Sequence, residues 1–375
     1  MHIKIDATSL LLPGAGVRNY LHYWLRALLD AAPASGDAIS AYPPFVPAPS
    51  ALDHEKPAAG PLRTTAGLLL VQFANIRGNR AIDLLTLGAD VFHCSQHTAN
   101  CPARPRKTAT VFDMSCWIAP QYHTPANVAA TKRYGERILK NCDGAIAISG
   151  HARDTAVEIL GIPAERIRAI YPGVAESFFE ASQGQADAVR ARYALPAPYL
   201  LFVGCIEPRK NVPGLVRAYQ QLPAALRRDV QLVLAGPFGW AAEETRQMLT
   251  HSGPSVRYLG YVPEPDLPGL SAGAAALIYP SYYEGFGLPV AQAMAAGVPV
   301  IASDRTCLPE VAGGAALLVD PDSPEEIGAA IARILTSPEL ARELASRGKA
   351  RAREFHWSTA AARSLEFFHQ VGGGR

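Results

Sequence analysis

The sequence predicts an α/β protein of two doubly wound halves closed by a helix. Three observations carry this. Short apolar strands alternate with amphipathic helices along most of the chain, the rhythm of parallel sheets. One Pro- and Gly-rich break, Pro172 to Pro198, interrupts that rhythm near the middle. The last segment, Trp357 to Val371, is an amphipathic helix with no strand after it. At ~150 residues per domain, the 375 residues allow two or three domains with sizeable cores. The expected divisions are 1–175, 176–356 and 357–375.

The elements follow in order. His2 to Asp6 reads as a short buried strand and Arg18 to Leu29 as a helix. Ala31 to Arg63 breaks the rhythm with Pro43-Pro44 and Pro47-x-Pro49, and reads as a long surface loop around one strand or a variable loop beside a binding cleft. Val91 to Cys94, Ala109 to Phe112 and Gly144 to Ser149 are strands, with a helix over Ala126 to Asn141 before the last. The break at Pro172 carries Ser182-Gln183-Gly184-Gln185 and ends at Pro196-x-Pro198. Beyond it come strand Tyr199 to Val203, helix Val212 to Leu222, and strands Val230 to Ala235, Val256 to Leu259 and Ala275 to Tyr279. Helix Leu288 to Ala296, strands Val298 to Ala302 and Ala315 to Val319, and helices after Pro324 and Pro338 complete the second half.

Composition excludes several function classes. Lys and Arg number 35 against 33 Asp and Glu, a formal +2, too balanced for a dedicated nucleic-acid binder. The +2 divides into +4 over residues 1–175 and −2 over 176–375. Apolar runs such as Gly67 to Val71, with Phe73 after Gln72, fall far short of the ~18 residues that span a bilayer. Met1 to Asp6 has no basic region followed by a long apolar one, so no signal peptide is expected. Six cysteines without a Cys-x-x-Cys indicate neither a disulfide framework nor a zinc site. The expected setting is the reduced cytoplasm.

Two segments carry chemistry. Ser281-Tyr282-Tyr283-Glu284-Gly285-Phe286-Gly287-Leu288-Pro289 runs into a helix that ends before Gly297. Its glycines let the backbone approach a ligand, and a Gly-rich turn feeding a helix N-terminus suits a phosphate. Glu284 can accept hydrogen bonds from sugar hydroxyls. The bland alternative is a tight turn with incidental glycines. In Phe202-Val203-Gly204-Cys205-Ile206-Glu207-Pro208-Arg209-Lys210-Asn211, a strand ends in glycine and an Arg-Lys pair opens a helix. Arg grips a diphosphate bidentately and Lys adds a point charge; the alternative is a solvated basic pair. Gly14-Ala15-Gly16 after the first strand is a weak dinucleotide-loop match, because Asn19 replaces the third glycine.

These segments in this order resemble the family 4 retaining glycosyltransferases of the GT-B fold, which include bacterial mannosyl- and glucosyltransferases for polysaccharides. The resemblance covers nearly the whole chain. It includes Ile148-Ser149-Gly150-His151-Ala152-Arg153, Ile170-Tyr171-Pro172-Gly173-Val174, Leu259-Gly260-Tyr261-Val262 and Leu308-Pro309-Glu310-Val311. It implies two Rossmann-like domains facing across a cleft, the first binding acceptor, the second nucleotide sugar, with the terminal helix crossing back. It implies Arg209 and Lys210 on the donor diphosphate and Glu284 as the first Glu of the Glu-x7-Glu motif on the donor sugar. Gly14, Gly16, Gly204, Gly285, Phe286, Gly287 and Leu288 then line the donor. The motif's second position is Gln292, whose carbonyl can accept one ribose hydroxyl without charge assistance. Phe112-Asp113 stands where many relatives read His-Asp, leaving Asp113 to orient the acceptor or the cleft.

The implied reaction is hexose transfer with retention, from GDP-mannose first and a UDP-hexose or dTDP-deoxysugar next, to a saccharide or lipid-linked saccharide. No metal or other cofactor is expected. Asp320-Pro321-Asp322 mimics a metal motif but precedes Ser323-Pro324, and reads as a turn and helix cap. His93, His97 and His123 read as structural or exposed, with His97 and His123 open as acceptor-cleft residues. The rival readings are a nicotinamide-dependent oxidoreductase, against which Asn19 counts, and an inactive GT-B binding module, kept open by Gln292 and Phe112. Helix Ala126 to Asn141, with Lys132, Arg133, Arg137 and Lys140, reads either as half-buried or as a peripheral contact with anionic lipid.

Overall fold

The structure is a computed structural model and describes residues 1–12, 16–44, 46, 60–76 and 79–373. They form two compact units, Met1–Gly173 with Trp357–Arg375, and Val174–His356.

The first unit holds a parallel sheet of β1 (His2–Asp6), β2 (Ala38–Tyr42), β3 (Val91–Cys94), β4 (Arg106–Val111), β5 (Gly144–Ala147) and β6 (Ile167–Ala169), in the order β2-β1-β3-β4-β5-β6. Its helices are α1 (Gly16–Ser35), α2 (Pro61–Ala74), α3 (Ala81–Leu85), α4 (Ser115–Ile118), α5 (Pro125–Arg137) and α6 (Gly150–Leu160). Residues of β3 and β5 are buried throughout, because a parallel sheet is covered on both faces.

The second unit begins with α7 (Glu176–Phe179) and α8 (Gln183–Arg192). Strands β7 (Tyr199–Val203), β8 (Gln231–Ala235), β9 (Val256–Gly260), β10 (Ala276–Tyr279), β11 (Val300–Ser303) and β12 (Leu317–Val319) form its parallel sheet, ordered β12-β11-β10-β7-β8-β9. The helices between and after them are α9 (Val212–Gln220), α10 (Ala224–Asp229), α11 (Glu243–His251), α12 (Leu267–Ala272), α13 (Leu288–Ala295), α14 (Leu308–Ala312), α15 (Pro324–Thr336) and α16 (Pro338–Ala352). The terminal α17 (Trp357–Gly373) returns to the first unit, where it lies along α1 and Trp24 Nε1 donates to Ser364 Oγ at 3.0 Å.

Strand order locates the sites. In an open α/β sheet the crevice opens beyond the carboxyl ends of the strands, where the winding reverses. That point lies between β1 and β3 in the first unit and between β7 and β10 in the second.

Several elements differ from the sequence reading. Helix α1 runs on to Ser35, carrying Pro33 inside it, past the expected loop start at Ala31; β2 is the one strand expected there, α2 begins at Pro61, and residues 45 and 47–59 of the expected loop lie outside the described residues. The helix expected to Asn141 ends at Arg137, and Leu139–Asn141 is a 3₁₀ turn. The units divide at Gly173/Val174, inside the Pro172 to Pro198 break, but its polar run is ordered: Ser182 caps α8 in a reciprocal capping box with Gln185, and α8 packs on α12. The polar run there is a helix start, which composition alone cannot tell from a loop. Where the chain enters the second unit, Val174 N donates to Phe355 O at 2.8 Å, beside the point where it leaves.

Candidate functional site

The second unit's switch point gathers residues from two distant segments. After β7 the chain turns at Gly204 and forms a 3₁₀ turn over Pro208–Lys210. Asn211 then takes a left-handed conformation, φ 53°, and its side chain accepts from Gly214 N to cap α9. So the Arg-Lys pair sits on the turn before the helix, not in its first turn. After β10 the chain passes through Ser281 to Glu284 and enters α13 from Gly287, at φ +85°. A Cβ at Gly287 would lie 2.4 Å from Leu308 Cδ2, so the turn is open only to glycine.

The two turns meet through charge. Lys210 Nζ donates to Glu284 Oε1 at 2.5 Å and to the Tyr279 hydroxyl at 2.7 Å. Arg209 Nη1 donates to Glu284 Oε2 at 3.0 Å and to Tyr283 O at 2.7 Å, and Nη2 to Glu207 Oε1 at 2.7 Å. Lys210 and Glu284 are only 7% and 5% exposed. Burial pushes the Glu284 carboxyl up, but Lys210 and Arg209 outweigh it and hold it at about 2. Burial and the neighbouring Arg209 pull Lys210 below its ordinary value, against the pull of Glu284. Burial, then the Glu284 charge, raises Tyr279 well above the usual phenol range, so it stays neutral.

The sequence reading named Arg209, Lys210 and Glu284 but missed what holds them. Thr306 Oγ1 accepts from Glu284 N at 3.2 Å, and Cys307 Sγ donates to Glu284 O at 3.2 Å. Thr306 itself sits at φ 58°, an uncommon conformation for a β-branched residue. Glu207 stands in a quoted segment and Tyr279 ends the strand before the other, yet nothing local marks them as partners. Beside Gly204, Gly236 ends β8 at φ +138°; a Cβ there would lie 2.0 Å from Gly204 O. The Phe286 ring is buried edge-on against Phe355, so its side chain belongs to the packing of the second unit. Leu288 and Gln292 are half-buried on α13. Both carboxylates of Asp320-Pro321-Asp322 accept from Arg305 Nη2 at 2.6 Å, and Ser323 caps α15. Among the described residues no cluster of His, Cys, Asp or Glu suits a metal ion.

In the first unit Gly14 lies outside the described residues, and Gly16 opens α1. At that unit's switch point Asp6 is buried and accepts from Thr8 N and Oγ1, Ser95 Oγ and Thr98 Oγ1, tying the loops after β1 and β3. The sequence reading gave Asp6 no role; an acid closing the first strand was the available signal. Asp113 follows β4, and its Oδ1 accepts from Ser115 N and Oγ at 2.9 and 2.5 Å. His93 is buried between the Thr108 and Thr110 hydroxyls, and burial lowers it to about 3, a neutral structural histidine. Phe112 packs edge-on against Tyr20.

Residues 188–351 match the family described as Glycosyl transferases group 1, and residues 16–178 the one described as Glycosyltransferase Family 4. The chain is 35% identical over 272 residues to O-antigen chain mannosyltransferase B of Escherichia coli, covering 71% of each chain. It is 30% identical over 241 residues to the serotype-specific mannosyltransferase WbdA of Escherichia coli, covering 62% of this chain and 29% of that longer one. Sucrose-phosphate synthase from Thermosynechococcus elongatus shares the fold, with a TM-score of 0.75, 22% identity and full coverage of both chains.

Proposed function

From the premise that this chain belongs to the family 4 glycosyltransferases of the GT-B fold and is a hexosyltransferase, we propose that it moves a mannose with retention from a nucleotide sugar, GDP-mannose first, to a saccharide or lipid-linked saccharide acceptor in cell-surface polysaccharide synthesis. The observation that carries this is the Arg209–Lys210–Glu284 cluster at the carboxyl ends of β7 and β10. The identity to two mannosyltransferases supports the choice of sugar.

Arg209 and Lys210 meet the donor diphosphate, and Glu284 a sugar hydroxyl. As the bond from the sugar's anomeric carbon to phosphate breaks, negative charge grows on the diphosphate. The two cations, with the first N–H groups of α13, stabilise that charge without reorganising. The acceptor oxygen bonds to the anomeric carbon on the face being vacated, and its proton passes to the departing phosphate oxygen. Gln292 accepts from a ribose hydroxyl. Asp113, at the carboxyl end of β4, orients the acceptor from the first unit. No metal takes part.

Replacing Arg209 and Lys210 together by Ala, with folding checked by circular dichroism, should abolish nucleotide release from GDP-mannose and from every other nucleotide sugar the wild type turns over. Turnover at the wild-type rate sinks the assignment.

We place the reaction in the cytoplasm, in keeping with six cysteines that form no disulfide, with a peripheral contact on anionic lipid. No helix among the described residues is long and apolar enough to cross a membrane. The helix expected to carry the contact, α5, turns Tyr134 into the core, where Ile138 and Leu139 just beyond it are also buried. Along α2 and just past it, Leu62, Leu69, Phe73 and Ile76 fall on one helical face and are 88%, 59%, 54% and 57% exposed. Residues 61–82 add Arg63, Arg77 and Arg80 and no acid, the complement of an anionic surface. Flotation with anionic vesicles should carry the wild type but not the Leu69→Glu/Phe73→Glu variant; no salt-sensitive binding rejects the contact.

A further inference from the structure

Around Asp113 a chain of hydrogen bonds runs through Ser115, His123 and Asn127. Ser115 Oγ lies 2.5 Å from Asp113 Oδ1 and 2.7 Å from His123 Nε2. His123 Nδ1 lies 3.2 Å from Asn127 Nδ2. Asn127 Oδ1 accepts from Thr131 Oγ1 at 3.4 Å, and the amide is placed with its NH₂ facing the ring. An NH₂ can only donate, so His123 Nδ1 accepts and the ring proton sits on Nε2. Nε2–H then donates to Ser115 Oγ. The serine's single proton is left for Asp113 Oδ1, which also takes the Ser115 N–H at 2.9 Å. The directions agree along the whole chain, so each bond supports the next.

We infer that Asn127, His123 and Ser115 are positioning residues that lock Asp113 Oδ1 and leave Oδ2 as the oxygen that meets the acceptor hydroxyl. The inference rests on the reading of Asp113 as the acceptor-orienting carboxylate. Oδ1 takes two donors from Ser115, and among the described residues no hydrogen bond engages Oδ2. The carboxylate is thereby fixed in rotation at the end of β4. The imidazole missing at position 112 is supplied to the same carboxylate from ten residues further on, through Ser115. Asn127 stands on α5 and Ser115 opens α4, two helices packed together, so the register between them sets the aim of Asp113. In the structural alternative Ser115 merely closes the short turn at α4, and the state of His123 makes no difference to transfer.

The test has two independent readouts. Long-range ¹⁵N NMR of the labelled full-length protein near neutral pH, with His123→Gln to assign the signal, should show the Nε2–H tautomer. The Nδ1–H tautomer or a doubly protonated ring overturns the inference. In nucleotide-release kinetics with GDP-mannose and acceptor, Ser115→Ala and His123→Phe should each lower kcat about 10- to 100-fold with donor KM unchanged, the usual weight of a hydrogen bond to a charged group. Ser115→Thr and His123→Gln keep a donor in place and should recover most of the rate. Asn127→Asp, which draws the ring proton to Nδ1 and turns the Ser115 hydroxyl away from Asp113, should fall with the first pair. Equal losses in the conservative and disruptive variants, or no loss in any, overturn the inference. Asp113→Asn at the wild-type rate overturns the reading of Asp113 itself. Asp113→Asn inactive with Ser115→Ala at full rate overturns only the positioning chain.

Discussion

Glu284→Gln keeps the shape of the side chain and removes its charge. In the folded protein Lys210 and Arg209 outweigh burial and hold the Glu284 carboxyl at about 2, against an ordinary 4.5. That depression is worth about 3 kcal/mol of stability at neutral pH. Because the folded-state value is the lower one, the contribution is complete above 4.5 and disappears as pH falls toward 2. The same substitution leaves the buried Lys210 ammonium with neutral acceptors, the Gln oxygen and the Tyr279 hydroxyl, in place of a carboxylate. Breaking a buried pair by removing one member costs about 3–5 kcal/mol, an overlapping view of the same loss rather than a second one. The assay is denaturant-dependent hydrogen exchange of the β7 and β10 amides, which reads the second unit by itself. E284Q should be less stable than wild type by about 3 kcal/mol at pH 7, and the gap should shrink to about half at pH 3. A gap under ~1 kcal/mol at pH 7, or one that acid does not reduce, refutes the reasoning.

Three further outcomes follow from the same geometry. Gly236→Ala drives a Cβ to 2.0 Å from Gly204 O at a backbone angle of +138°; it should lower stability by about 2 kcal/mol or more and slow transfer even where folded, read from Tm and kcat. An unchanged Tm would show that the turn has slack. Gln292→Glu restores a charged acceptor on α13 and should tighten GDP binding several-fold by calorimetry, since charge-assisted hydrogen bonds are roughly twice as strong as neutral ones; unchanged affinity removes Gln292 from the ribose. EDTA should leave nucleotide release unaltered, because Arg305 already occupies Asp320 and Asp322; loss of activity restored by magnesium overturns metal independence.

Much of the fold is legible locally. Strands β3 and β7 match their apolar runs to the residue, because the interior of a parallel sheet admits no polar alternation. The starts of α15 and α16 are marked by Ser-Pro, where the serine caps and the proline occupies the first turn. Less legible were elements whose signal was ambiguous or diluted. Pro33 inside α1 reads as a terminator, yet it lies in the helix's last turn. Ser182 to Gln185 reads as a break in the rhythm because a capping box is made of loop-like residues. For α5 the amphipathic pattern was correct but did not say whether the apolar face met lipid or core; Tyr134 is buried in the core.

The sequence by itself determined that this is a two-unit α/β protein and that Arg209, Lys210 and Glu284 stand at strand ends. Spacing, glycines and prolines are local, and they act through backbone geometry within a few residues. Only the tertiary structure decided that those three form one buried cluster with Tyr279 and Glu207, since that depends on β10 lying beside β7, 74 and 75 residues on for the two cation–Glu284 bonds. It alone returned α17 to the first unit and joined Asp113 to His123 through Ser115. Strand order arises when distant segments compete for the same partners, a competition that no window of sequence contains; the Asp113–His123 link is short in sequence but needs the side-chain placement that the fold sets.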